Sequence, residues 1–138
     1  MSNTKSTDVV NHMMQQDQFS NWLGIEVLEI SEGYCKIKMK VRQEMVNGFG
    51  IAHGGIAFSL ADSAFAFACN NRNNLSVALD TAINFTKAVN INDELTAQAN
   101  EVHNGRSTGV YLITITNQLN ETIAHFKGTC FRTGKTLI

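Results

Sequence analysis

Residues 46–69 read VNGFGIAHGGIAFSLADSAFAFAC, and this stretch decides the fold. From Gly54 to Cys69 it is rich in Ala, Leu and Phe, and the Asn-rich run Asn70–Asn74 that follows would stop a helix there. At about 1.5 Å per residue such a helix is roughly 24 Å long. Phe58, Asp62, Phe65 and Cys69 share one stripe of it, and Ile56, Leu60, Ala64 and Phe67 occupy the opposite one. A helix that is apolar nearly all round is a buried helix, so the rest of the chain must wrap it.

The wrapping is legible on both sides. Upstream, YCKIKMKV alternates strictly, with Cys35, Ile37, Met39 and Val41 on one face and Tyr34, Lys36, Lys38 and Lys40 on the other. That period of two marks a half-buried strand. Residues 24–30 are expected to be its hairpin partner, turning at Ser31–Gly33. Asp8–Phe19 reads as a short amphipathic helix with Thr7 as its N-cap.

Downstream, Leu75–Phe85 alternates, and ELTAQANEV, TGVYLITITNQ and ETIAHFKGTCFR follow with short turn signals between them. Four consecutive strands with short links predict an antiparallel meander. The expected class is therefore α+β, one long buried helix wrapped by a curved antiparallel sheet of about six strands. A single sheet around one helix leaves its edges open, so association with a second copy is expected.

Bulk properties narrow the function. The chain has 138 residues, suited to a single domain spanning 1–138 with residues 1–19 as an N-terminal helical segment. Eleven basic residues against twelve acidic ones, with no block of like charge, give no basic stripe for nucleic acid. Three scattered cysteines without a CxxC pair indicate neither a disulfide framework nor a zinc knuckle, and reduced thiols suit a cytoplasmic location. No signal-peptide h-region and no apolar run of membrane-spanning length is present. The histidines show no metal-ligand spacing, so no metal site is expected.

Asp62 is the residue that demands an explanation. Burying an unpaired carboxylate costs several kcal/mol even after relaxation. No basic residue lies on its helix, so it either meets a cation from elsewhere, points to solvent at an imperfectly buried face, or is retained for chemistry. His53 precedes Gly54-Gly55 at the helix start, where backbone N–H groups lack partners at the positive end of the dipole. Two glycines there would let a ligand oxygen approach, forming an oxyanion site. The alternative is that the glycines merely shape the turn and His53 caps the loop. Asn47 sits in the turn-like NGFG and, by itself, reads as a turn residue. Ser59 and Ser63 lack a nucleophile elbow, and Cys69 lacks an activating base.

Taken together, VNGFGIAHGGIAFSLADSAFAFACN and HNGRSTGVYLITITNQ closely resemble the hotdog-fold acyl-CoA thioesterases of the phenylacetate-degradation type, over residues 20–133. The resemblance implies a homodimer, in many relatives paired into a tetramer, with active sites between subunits. It implies that Asp62 is the nucleophile or general base, and that the Gly54 N–H holds the thioester oxygen. Asn47 of the neighbouring subunit would orient the carboxylate or the attacking water, and His53 would line the cleft.

Gly55, Phe58, Phe65 and Phe85 would adjoin the substrate. The turn carrying Asn104, Gly105, Arg106, Ser107 and Thr108 would contact coenzyme A, with Arg106 suited to its phosphates. Coenzyme A is then part of the substrate, and no separate cofactor is expected. The family's frequent Asp-Phe followed by Arg-Pro-Gly is replaced by Asn84–Val89, which alters the shape of the acyl pocket. A hotdog dehydratase and a non-catalytic acyl-CoA sensor are the rival readings; the sensor would lose the catalytic acid that Asp62 retains.

Overall fold

Cys35, Ile37 and Met39 are buried while Lys36 and Lys38 lie at the surface, so the alternation seen in the sequence sets the face of its strand. The computed structural model describes residues 2–138, omitting the side chains of 2–4. Two helices, α1 (Ser2–Gln16) and α2 (Gln18–Leu23), precede the hairpin of β1 (Glu26–Ser31) and β2 (Tyr34–Lys40). A 3₁₀ turn, Gln43–Met45, leads to the long helix α3 (Gly54–Asn70). Four strands complete the chain: β3 (Ser76–Phe85), β4 (Glu94–Asn104), β5 (Thr108–Thr116) and β6 (Thr122–Arg132). Among the described residues, no helix is long and apolar enough to cross a membrane.

The N-terminal helix expected over Asp8–Phe19 is corrected to two helices. Asp17 ends the first and caps the second, its carboxylate accepting from the Ser20 N–H at 2.9 Å. Thr7, expected as a cap, lies exposed inside α1, whereas Val9 and Val10 are fully buried. The β1–β2 turn is as expected, and Gly33 supplies its positive φ of 71°.

The six strands form one antiparallel sheet in the order β1-β2-β4-β5-β6-β3. Only β4, β5 and β6 form a meander. The expectation that β3 joins it is corrected: β3 runs to the far edge and pairs with β6, from Ser76 opposite Arg132 to Phe85 opposite Ala124. A register shift between Ala78 and Asp80 also breaks its simple alternation. Thr81, Ile83 and Phe85 therefore stand opposite Gly128, Phe126 and Ala124 of the core-facing side, while Val77 stands opposite the exposed Phe131.

α3 lies in the concave face. Leu60, Ala61, Ala64, Phe65, Phe67 and Ala68 are buried there with Ile37, Ala97, Ala99, Ile113, Ile115 and Phe126. Its cover is incomplete at the end of β3, where the core-facing Phe85 is 55% exposed; Leu79 at the register shift is also exposed, as is Val77 on the outer face. β1 at the opposite edge packs against α1.

Candidate active site

The chain reaches α3 through Val46–Ala52, a narrow loop closed by the Val46–Ala52 bridge. Asn47 shapes this loop: its Oδ1 accepts from the N–H of Phe49 at 2.8 Å and of Ile51 at 3.4 Å. The turn role is thus occupied by the oxygen, and Nδ2 of Asn47 makes no hydrogen bond among the described residues. His53 then stands at the N-cap of α3, but its side chain makes no capping bond and is exposed. The backbone N–H of His53 is taken by Met45 O at 2.8 Å. The N–H groups of Gly54 and Gly55 find no acceptor among the described residues.

Of the two, Gly54 lines a cavity of about 380 Å³, and Gly55, expected beside the substrate, does not. Asn47, His53, Gly54 and Phe85 line it, together with Ala57, Thr86, Lys87, Val89 and Leu95. A Cβ on Gly54 would approach Phe85 Cζ to 3.2 Å, so glycine lets the helix terminus sit directly against that ring. Ala57, Val89 and Leu95 are buried and form an apolar floor. The replaced Asn84–Val89 segment forms one wall; Lys87 at its rim pairs with Glu121 at 3.6 Å. The geometry is that of a pocket with an apolar floor and a positive helix end at its mouth, which suits a carbonyl oxygen gaining negative charge.

Asp62 does not line this cavity. It lies eight residues along α3, about 12 Å from Gly54 at the helical rise. Its side chain is half-buried and makes no hydrogen bond or ion pair among the described residues. Its carboxyl is raised above the ordinary carboxylate value, chiefly by burial and then by the negative charge of Asp17. Asp62 therefore has no cationic partner among the described residues. The stripe-mates of Asp62 have other work. Phe65 is 2% exposed, packed against Tyr111 and Phe126, with its ring so close to Gly128 that a Cβ there would come within 2.7 Å. It is packed in the core and does not line the cavity. Phe58 is half-buried and meets Phe126 edge-on, 5.4 Å between centroids, outside the cavity lining.

The turn Asn104–Thr108 lies at the opposite end of α3, where the guanidinium of Arg132 bonds both Asn104 Oδ1 and the Cys69 carbonyl. Arg106 on this turn is exposed. Within one chain, then, the predicted residues fall into three groups along one helix: the cavity at its N-terminus, Asp62 two turns along, and the cationic turn beyond its C-terminus. Sequence reasoning missed Ile51, Ala52, Ala57 and Leu95 as lining residues; Ala57 had a signal, standing three residues after Gly54 on the same helical face. Among the described residues, no cluster of His, Cys, Asp or Glu could hold a metal.

A wrapped helix with an unpaired, glycine-lined N-terminus and an isolated carboxylate defines a class. The chain belongs to the thioesterase superfamily, whose family model matches residues 49–124, and its architecture is the hotdog fold. It is 42% identical to the acyl-coenzyme A thioesterase PaaI of Escherichia coli strain K12, over 91% of this chain and 89% of that one. The solved structure of E. coli PaaI, from the phenylacetic acid degradation operon, superposes with a TM-score of 0.97 at 39% identity, covering 99% of both chains. A hypothetical thioesterase from Streptococcus pneumoniae TIGR4, solved with coenzyme A, matches with a TM-score of 0.78 at 32% identity over 81% of this chain and 90% of that one.

Proposed function

We propose that this chain hydrolyses an acyl-CoA thioester to the free acid and coenzyme A, at a site shared between two copies. The observation that carries this reading is the unpaired Gly54 N–H at the cavity that Asn47 also lines. In it, the thioester oxygen accepts from the Gly54 N–H, and the helix end stabilises the negative charge that develops on attack. Asp62 of the second copy supplies the carboxylate. As nucleophile it would form a mixed anhydride and expel the coenzyme A thiolate, and water would then cleave the anhydride. As general base it would take a proton from water, whose oxygen attacks the carbonyl directly. The raised carboxyl of Asp62 brings it nearer the range in which a base is effective at neutral pH.

The separation of Asp62 from its own chain's cavity supports the second copy. Two α3 helices lying antiparallel would bring one chain's N-terminus towards the partner's Asp62 and cationic turn. The exposed edge strand β3, with open backbone groups and apolar side chains, is a suitable seam for such a dimer. The relatives named for acyl-CoA hydrolysis or solved with coenzyme A favour this substrate class.

Thiol release from a panel of acyl-CoA substrates tests the reading, with turnover expected for at least one acyl group. Coenzyme A binding without hydrolysis of any member would instead mark a sensor, and hydration or dehydration of an enoyl or hydroxyacyl thioester would mark a dehydratase.

A further inference from the structure

Arg132, the last residue of β6, is 7% exposed and uses every donor of its guanidinium. An arginine side chain carries five N–H groups in a fixed planar fork. Here Nε donates to Gly105 O at 3.4 Å, and Nη1 donates to Cys69 O at 2.9 Å and Ser76 Oγ at 3.0 Å. Nη2 donates to Asn104 Oδ1 at 2.7 Å and to Tyr111 OH at 3.0 Å. The backbone N–H of Arg132 adds a sixth bond, to Ser107 O at 2.8 Å. Tyr111 donates its own O–H to Glu101 at 2.7 Å, and Glu101 also accepts from both terminal nitrogens of Arg72. The cation is therefore held in a closed network rather than left unbalanced.

Half of those six bonds end on three residues of one surface turn, Asn104, Gly105 and Ser107. The others end on α3, β3 and β5, the rigid frame. Gly109 permits the arrangement, since a Cβ there would come within 2.6 Å of Nη2. The turn is tight in its own right: Gly105 N–H bonds Thr108 O at 2.8 Å, and a Cβ on Gly105 would meet that oxygen at 2.7 Å. At its tip Arg106 is exposed and forms no ion pair among the described residues. A buried arginine thus fixes a turn whose outward charge has nothing to bind within the chain.

We propose that Arg132 is a positioning residue for the coenzyme A end of the substrate, setting the Asn104–Thr108 turn against the end of α3 so that Arg106 and the turn meet the phosphates. The inference rests on the acyl-CoA reading above. A lysine at this position keeps the charge but not the planar fork, so it cannot satisfy the turn and the frame together.

The test compares one acyl group presented on coenzyme A and on N-acetylcysteamine, which lacks the nucleotide and its phosphates. Two variants are used. Arg132→Lys acts on the whole network, and Tyr111→Phe removes one acceptor of Nη2 from within the frame while keeping the buried ring, so it remains informative if the first variant does not fold. For each, the KM rise on the coenzyme A ester should exceed that on the short ester by about tenfold, the scale of one charged hydrogen bond. kcat should change little by comparison. Free coenzyme A, titrated calorimetrically, should bind more weakly by a similar factor. Equal losses on both esters, or full coenzyme A affinity in both variants, would overturn the proposal. If the wild-type chain binds coenzyme A but hydrolyses neither ester, the hydrolytic reading fails while the calorimetry still decides the role of Arg132. If wild type does not bind coenzyme A, both fail.

Discussion

The hydroxyl of Ser63 on α3 lies 2.8 Å from that of Ser20 on α2, and Ser20 Oγ lies 2.5 Å from Asp17 Oδ2. An ionised carboxylate only accepts, so Ser20 donates to Asp17 and Ser63 donates to Ser20. The N-terminal helices are thereby stitched to the turn of α3 that carries Asp62. They also bring a second negative charge towards it, which together with burial keeps the Asp62 carboxyl raised.

Asp17→Asn should shift the pH profile. Asn keeps the N-cap oxygen that accepts from Ser20, so the helix start survives while the charge is lost. With the like charge gone, Asp62 ionises more easily, and the acid limb of kcat/KM should move to lower pH. A limb that stays in place, or moves to higher pH, would show that Asp17 does not act on Asp62.

Asp62→Asn should lower turnover by about a hundredfold or more, the scale of a lost general base or nucleophile. It should also stabilise the fold at neutral pH. A carboxyl raised in the folded state contributes most to stability when protonated, and that contribution is lost as pH rises through its folded value. The melting-temperature gap in favour of the variant should therefore shrink as pH falls from above the raised value towards the ordinary 3.8. Differential scanning calorimetry across that window checks the sign.

Asn47→Asp retains the oxygen that holds the loop but removes the Nδ2 donors that the proposed mechanism needs, and should be nearly inactive. Refolding it in equal amounts with Asp62→Asn tests the shared site. Random pairing makes about half of the dimers mixed, and two-fold symmetry gives each of these one intact site. Activity should recover to roughly a quarter of wild type. If both residues came from one chain, mixing would restore nothing.

Gly128→Ala should cost about 1–3 kcal/mol, the range for overpacking a filled core. Its new Cβ would lie 2.7 Å from the Phe65 ring, which has Tyr111 and Phe126 beside it and little room to retreat. Urea denaturation measures the loss directly.

Local patterns were read well from sequence because local physics sets them. The β2 alternation, the Glu32–Gly33 turn and the span of α3 each follow from periodicity or one glycine. The pairing of β3 with β6 was not legible, since either neighbour satisfies an alternating strand and only the completed sheet decides. The break at Asp17 did have a signal, Asp-Gln-Phe-Ser, an N-cap pattern inside a run that otherwise reads as one helix. Asp62 stood out because a charge among apolar residues violates the local pattern. Arg132 did not, because a lone arginine near a strand end looks like any surface charge until the helix terminus and the Asn104 turn close over it.

The placement of β6 between β5 and β3 also dictates an order of assembly. On a growing chain, residues 76–85 have no strand to join until residues 122–132 have been made, a wait of seconds at about 5–20 residues per second. Until then α3 has an unfinished wall on one side, and its apolar surface is open to other chains. Stopping the chain short of Thr122 would therefore not yield a smaller version of the domain, but a sticky intermediate with two unmatched edges.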